Sequence, residues 1–312
     1  MSQKYARLLR DQDQVEHFLS DVLEMDTKSL PGIDYKIVQG EMGLIDLDIR
    51  AQTLDNTKFR DRNYKDEKSR WVLRQQIIDE LLHLQRPADD DAICLGTGGA
   101  LPLTSLASAK QAFLLIGLPA SGKSGIANLI SDAYKAIILD SDFAKRKLPE
   151  YANYMHGATV VHEESSQIVF NFKDNPNNIE SVWQTSLKSG HNLVIPKIGQ
   201  NASSILQLTE KLTDLGYQVH LTLVSLLKRE ATIRAVHRFY ETKRYVPLGL
   251  IFDGYGNDPC LTYHLLKNRM PERFVSFGAI STNVPKGDKP FSIDLTKGNP
   301  AEQFEYRKNV LI

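Results

Sequence analysis

The chain is poor in cysteine: 312 residues hold only Cys94 and Cys260. The two lie far apart and in no metal-binding spacing, so a disulfide scaffold is excluded and a reducing compartment is expected. No apolar run has the length needed to cross a bilayer, so no membrane association is expected. The first ten residues, Met1–Arg10, are polar and charged and lack the apolar stretch of a secretory signal. The expected location is therefore the cytoplasm. Charge of neither sign dominates, since 38 Lys and Arg balance 38 Asp and Glu. Nucleic-acid binders usually carry a basic excess, so nucleic acid is not an expected partner. Internal repeats and low-complexity tracts are also missing. What remains is an ordinary globular composition, 42% apolar, in a chain long enough for one large domain or two modest ones.

Two styles of patterning divide the chain near residue 100. In the first part Val15, Phe18, Leu19, Val22 and Leu23 recur at helical spacing, as do Trp71, Ile77, Ile78, Leu81 and Leu82. Between them, Ile33–Val38 and Leu44–Ile49 read as short strands. Gly and Pro punctuation between residues 87 and 102 marks a junction. From Gln111 onward, short apolar runs (Ala112–Ile116, Ala136–Leu139, Asn192–Ile195, Val219–Val224) alternate with helical stretches. That alternation predicts an α/β domain with a mainly parallel sheet covered on both faces. Leu227–Arg244 reads as a basic helix, and Phe274–Ile280 as a further strand. The expected organisation is a mostly helical region over 1–100 and an α/β domain over 101–312.

Gly117-Leu-Pro-Ala-Ser-Gly-Lys-Ser124 fits the pattern G-x-x-x-x-G-K-[ST], with a strand-like run before it and a helical run after it. Glycines let the backbone turn so that successive N–H groups converge on phosphate oxygens. The helix that follows offers its N-terminus to the anion. Gly117, Leu118, Pro119, Ala120, Ser121, Gly122, Lys123, Ser124 and Gly125 are thus candidates for binding ATP. Lys123 is expected to reach the β- and γ-phosphates, and the Ser124 hydroxyl to ligate Mg²⁺.

Asp140 and Asp142 close the second strand, at the strand end where open α/β sheets bind ligands. One acid beside a triphosphate can support the metal, which is the role expected of Asp140. The other can take a proton from an attacking hydroxyl, the role expected of Asp142. The competing reading is that one of them caps the next helix. Arg234 and Arg238 are four apart on one helix face, and Arg244 follows. Arginines over phosphates stabilise transition-state charge, and Arg238 and Arg244 are the candidates; a solvated basic face is the alternative.

Taken together, the octapeptide, Leu139-Asp-Ser-Asp-Phe-Ala-Lys-Arg-Lys-Leu-Pro-Glu-Tyr151, Asn192-Leu-Val-Ile195 and the arginines Arg238 and Arg244 resemble the zeta-toxin family of kinases over about residues 111–247. The resemblance implies a P-loop αβα sandwich. It implies Lys123 as the phosphate lysine, Ser124 as the Mg²⁺ hydroxyl, Asp142 as the general base and Arg238 as an ATP-phosphate contact; Arg244 is a looser match because its spacing differs. The best-known members phosphorylate the 3′-hydroxyl of the sugar in UDP-N-acetylglucosamine and are restrained by a small helical antidote. Those sugar kinases carry Glu-Gly-Thr after the third strand, where this chain has Pro196-Lys197-Ile198, so the acidic sugar contact is missing at that position. Glu163 or Glu164, at the start of a helical stretch, can replace it, and Lys197 can meet a diphosphate. The plainer readings are acids favoured at a helix N-terminus and a surface lysine.

The expected activity is transfer of the γ-phosphoryl group of ATP to a hydroxyl of a small-molecule or nucleotide-sugar acceptor, with toxin action in view. Two alternatives stand beside it. A polynucleotide 5′-hydroxyl kinase shares the loop and the acid, and Lys145-Arg-Lys147 offers it a basic cluster. A nucleotide-binding switch would bind ATP without transfer. The region before residue 100 has two readings as well: a tethered antidote over the nucleotide cleft, or helices that pack on the domain and shape it.

Overall fold

The computed structural model describes residues 6–46, 52–153, 156–285 and 287–308. Along the chain run α1 (Gln12–His17), α2 (Ile33–Asp46), α3 (Glu67–His83), β1 (Gln111–Ile116), α4 (Lys123–Tyr134) and β2 (Ile137–Ile138). Next come α5 (Ser141–Lys147), α6 (Glu150–Asn153), α7 (Gly157–Val160), α8 (His162–Val169), α9 (Val182–Lys188) and β3 (Leu193–Lys197). The last part contributes α10 (Ala202–Asp214), β4 (Gln218–Ser225), α11 (Lys228–Thr242), α12 (Asp258–Arg269), β5 (Ser276–Ser281) and β6 (Phe291–Leu295).

The strands form one six-stranded sheet in the order β2-β3-β1-β4-β5-β6. β2 runs parallel to β3 and β4 parallel to β5, while β6 returns antiparallel with a register shift at Ala279/Ile280. β1 is an almost continuous apolar run and β4 alternates apolar residues with buried His220 and Thr222; Phe113, Leu114, Leu115, Leu221 and Leu223 are all buried, as in strands covered on both faces. This is the α/β sandwich of a P-loop protein, with flanking helices and a mostly helical N-terminal region.

One expectation fails. Ile33–Val38 is not a strand but the first turns of α2. β-branched residues favour strands, yet Ile33 and Ile37 are four apart and both buried, and tertiary burial of that helical face overrides the local preference. Residues 44–46 also belong to α2; the rest of the second expected strand, 47–49, lies outside the described residues.

The chain separates into two compact units: Met1–Ile45 with Ala112–Ile126 and Pro196–Ile312, and Asp46–Gln111 with Ala127–Ile195. The first hundred residues are therefore shared between both units. In the first unit, Leu9, Val15, Phe18, Leu19, Leu23, Ile33 and Ile37 join Leu118, Ala231, Ala235, Val236, Phe239 and Ile251 in a single apolar cluster. Full burial of each large member is worth about 1.5–3 kcal/mol relative to exposure. In the second unit the N-terminus of α3 is capped by Asp66, whose side chain accepts from the Ser69 N–H at 2.9 Å. Its inner face carries Ile77, Ile78 and Leu81 together with two buried arginines, Arg70 and Arg74.

Candidate active site

The first unit carries the phosphate loop. It leaves β1 at Gly117, whose N–H donates to the Ile198 carbonyl at 3.1 Å. A Cβ at Gly117 would lie 2.6 Å from the Val224 carbonyl oxygen, so only glycine fits there. Ala120 and Gly122 adopt φ of 60° and 84°, the left-handed conformations that turn the backbone inward. Lys123, at the start of α4, donates its Nζ to the Gly117 carbonyl at 2.7 Å and also to the Leu118 carbonyl. Two carbonyls of the loop thus hold the ammonium over the loop itself. The Ser121 hydroxyl oxygen is buried without a hydrogen-bond partner, and the Ser121 carbonyl accepts from Thr282 Oγ1 at 2.7 Å. Gly122, Ser124 and Gly125 are exposed. A loop of inward-turned amides, a fixed ammonium and an orphaned buried hydroxyl fits an oxyanion ligand such as a polyphosphate.

The same unit places the candidate arginines. Arg234 Nη2 donates to the Thr282 and Val284 carbonyls at 2.7 and 3.2 Å. It ties α11 to the segment after β5, which in turn holds Ser121, so its work is structural. Arg238 is half-buried one turn further along α11. The helix ends at Lys243 in a left-handed conformation, φ 59°, and Arg244 follows, also half-buried. Lys197 stands half-buried at the end of β3.

The second unit carries the acids. Asp140 caps α5: its carboxylate accepts from the Asp142 N–H at 2.9 Å. Burial, and then the neighbouring Asp142 charge, push the Asp140 pKa up. The helix-capping alternative is thus present at Asp140, and it leaves the second carboxylate oxygen for other work. Asp142 sits in the first turn of α5 and pairs with Lys145 at 2.8 Å, with its side chain 39% exposed. His162, at the start of α8, belongs to the same neighbourhood. Burial and then the Lys145 charge lower its pKa, against the opposing pull of Glu163 and Asp142. Pattern reading gave His162 and Lys145 no part around Asp142. The i,i+3 spacing of Asp142 and Lys145 was a usable signal, whereas the approach of His162 follows from α5 packing on α8.

Glu163 and Glu164 part company. Glu163 is exposed and lines a cavity of about 570 Å³ with Asp55, Glu67, Trp71, Arg74 and Gln167. Glu164 is buried, and the substrate role expected of it is corrected here. Its carboxylate accepts from Arg70 Nε at 2.8 Å, Arg70 Nη2 at 2.5 Å, Arg74 Nε at 2.7 Å and Thr53 Oγ1 at 2.5 Å. Burial alone would raise its pKa, but the bonds and charges of Arg70, Arg74 and Thr53 hold it at about 2. Both oxygens are occupied, and no acceptor site is left for a ligand. The basic cluster is also neutralised: Lys145 on Asp142, Arg146 on Asp91 at 2.7 Å, and buried Lys147 on Glu80 at 2.6 Å.

A Gly-rich loop between a buried strand and a helix, with its lysine folded over it, on a mostly parallel sheet with flanking helices, defines a P-loop nucleotide-binding protein. Residues 101–253 match the family model described as Zeta toxin, so this stretch of the chain resembles a zeta-toxin P-loop domain. Among solved structures, the chain is similar to a structure of the PezAT chromosomal toxin–antitoxin system of Streptococcus pneumoniae, at 16% identity and a TM-score of 0.46 over 64% of this chain and 78% of that one. It is similar to AvrRxo1-ORF1:-ORF2 with ATP, at 17% identity and a TM-score of 0.42 over 75% and 67%. It is also similar to a gluconokinase from Sinorhizobium meliloti 1021, at 15% identity and a TM-score of 0.30 over 57% and 86%. No curated protein matches the chain. Among the described residues, no helix is long and apolar enough to cross a membrane.

Proposed function

We propose that the chain is an ATP- and Mg²⁺-dependent kinase that phosphorylates a hydroxyl of a small-molecule or nucleotide-sugar acceptor. The observation that carries this reading is Lys123, held over the phosphate loop by the Gly117 and Leu118 carbonyls inside the zeta-toxin segment. The loop N–H groups between Leu118 and Gly125, Pro119 excepted, and the Lys123 ammonium would hold the ATP phosphates. Ser124, by its hydroxyl, and Asp140, by its carboxylate, are the residues that would hold Mg²⁺, which when bound would offset phosphate charge. Asp142 takes the proton of the acceptor hydroxyl as its oxygen bonds to the γ-phosphorus and ADP leaves. Lys145, paired with Asp142 at 2.8 Å, orients its carboxylate. Arg238 and Arg244 take up charge on the transferring phosphoryl group.

Glu163 and Lys197 are the proposed acceptor contacts. A cavity that combines Glu163 with Trp71, Gln167 and further acids suits a ligand rich in hydroxyls, because carboxylates and amides accept from O–H groups. The departure at Pro196-Lys197-Ile198 separates the acceptor from UDP-N-acetylglucosamine itself. Toxin action, restraint by a separate antidote protein and a cytoplasmic site of action belong to the same proposal. The polynucleotide-kinase alternative loses its main support, since each side chain of Lys145-Arg-Lys147 is paired with an acid.

The test is incubation with labelled ATP and a metabolite extract, followed by mass spectrometry for a new phosphate ester. The expected result is one ester, formed by the wild type and lost in Lys123→Ala. Asp142→Asn is expected to bind ATP nearly as well and to transfer phosphate about 10²–10⁴-fold more slowly. ATP binding without any ester would favour the switch reading, and wild-type transfer by Asp142→Asn would remove the base assignment.

A further inference from the structure

Residues 9–41 precede the family-matched segment, yet they pack within the same compact unit as the phosphate loop. Phe18, Leu19 and Ile33 share an apolar cluster with Leu118 of the loop and with Ala235 and Phe239 of α11. Polar ties run alongside. Arg229 Nε donates to the Leu23 carbonyl at 2.7 Å, and Arg7 makes a two-pronged pair with Asp253 at 2.7 and 3.0 Å. Lys36 Nζ stands 4.3 Å from the centre of the Tyr240 ring. The Tyr245 hydroxyl donates to Glu41, which is 6% exposed. The Tyr245 ring meets Phe239 edge-on at 4.9 Å and lies so close to α2 that a Cβ at Gly40 would come within 2.8 Å of it. Burial, and then the Glu41 charge, raise the Tyr245 pKa, so the phenol keeps its proton and acts as the donor. Meanwhile Gly122, Ser124 and Gly125 stay exposed, so these helices grip the loop by its Leu118 side chain and leave those three positions uncovered.

We infer that the N-terminal helices are a built-in positioning element of the nucleotide site: they hold the phosphate loop through Leu118, and through the Glu41–Tyr245 pair they set the segment that carries Arg244. The inference rests on the proposed role of Arg244 at the ATP phosphates. It assigns the N-terminal helices the opposite task from an antidote, which would lower turnover while present and raise it when loosened. Glu41 and Tyr245 are positioning residues that act through their neighbours.

The experiment compares full-length wild type with Tyr245→Phe, Glu41→Ala, Glu41→Gln and the double variant Glu41→Ala/Tyr245→Phe. Readouts are kcat/KM for ATP, the thermal midpoint, and the affinity for a non-hydrolysable ATP analogue with Mg²⁺. Loss of one buried hydrogen bond is expected to lower kcat/KM about tenfold in Tyr245→Phe and Glu41→Ala. The double variant should fall no further than either single one, because both remove the same bond. Glu41→Gln keeps an acceptor oxygen and should stand near wild type. A rise in turnover in any variant overturns the inference in favour of an antidote. Unchanged kcat/KM with a lowered thermal midpoint overturns it in favour of packing alone. Should wild type bind ATP but turn none over, the kinase reading fails by itself; the analogue affinity then decides the inference, and equal affinity in all variants overturns it.

Discussion

Helices α1 and α2 are anchored by apolar burial, whereas α3 adds a buried charge cluster to its apolar face. Around Phe18, Leu19 and Ile33 the contacts are methyl and ring surfaces, with polar ties such as Glu41–Tyr245 added to the layer. On α3, Arg70 is fully buried between Glu150 and Glu164, and Arg74 shares Glu164. Apolar layers tolerate trimming because the loss scales with the area and volume removed. A buried charge cluster does not, because removing one member leaves another charge desolvated and unpaired. Two stretches of similar helical character therefore differ in how sharply a single substitution is felt.

The largest expected effect is Glu164→Ala, which leaves Arg70 and Arg74 short of a carboxylate and should cost about 3–5 kcal/mol in denaturant unfolding. Leu19→Ala in the apolar layer should cost about 3 kcal/mol. If it proved costlier than Glu164→Ala, the contrast drawn above would be reversed.

Acid separates the two units next. Burial in the first unit lowers His220 to about 4; the unfolded chain then binds more protons between the ordinary histidine value and 4, so stability falls as the pH drops through that window. Glu164 sits at about 2, so its contribution is complete above the ordinary glutamate value and is lost as the pH drops from there toward 2. Thermal midpoints against pH should show two successive declines, and His220→Asn should flatten only the first. The smallest effect is Asp66→Ala at the α3 cap, about 1 kcal/mol, measured in the same unfolding series.

How legible these features were depends on how far apart their parts lie. Gly117–Ser124 is contiguous, and its chemistry is written in spacing alone. Asp140 and Asp142 were readable as a strand-end pair, and the cap at Asp140 was readable as an alternative. Glu164 was not, since the residues that occupy it, Arg70 and Arg74, lie 94 and 90 positions earlier. Ile33–Val38 was misread because a six-residue window rich in Ile and Val fits a strand as well as one helical face.

Length, neutral charge, the alternation of apolar runs and the phosphate-loop octapeptide were settled by the order of residues, since each depends on neighbours within a turn or a strand. Which carboxylates stay available and which are locked in ion pairs was decided only by the fold. So was the joining of residues 9–41 to the phosphate loop and α11. Both depend on groups distant in sequence meeting where water is excluded, and there a charge must find a partner and an apolar face must find cover.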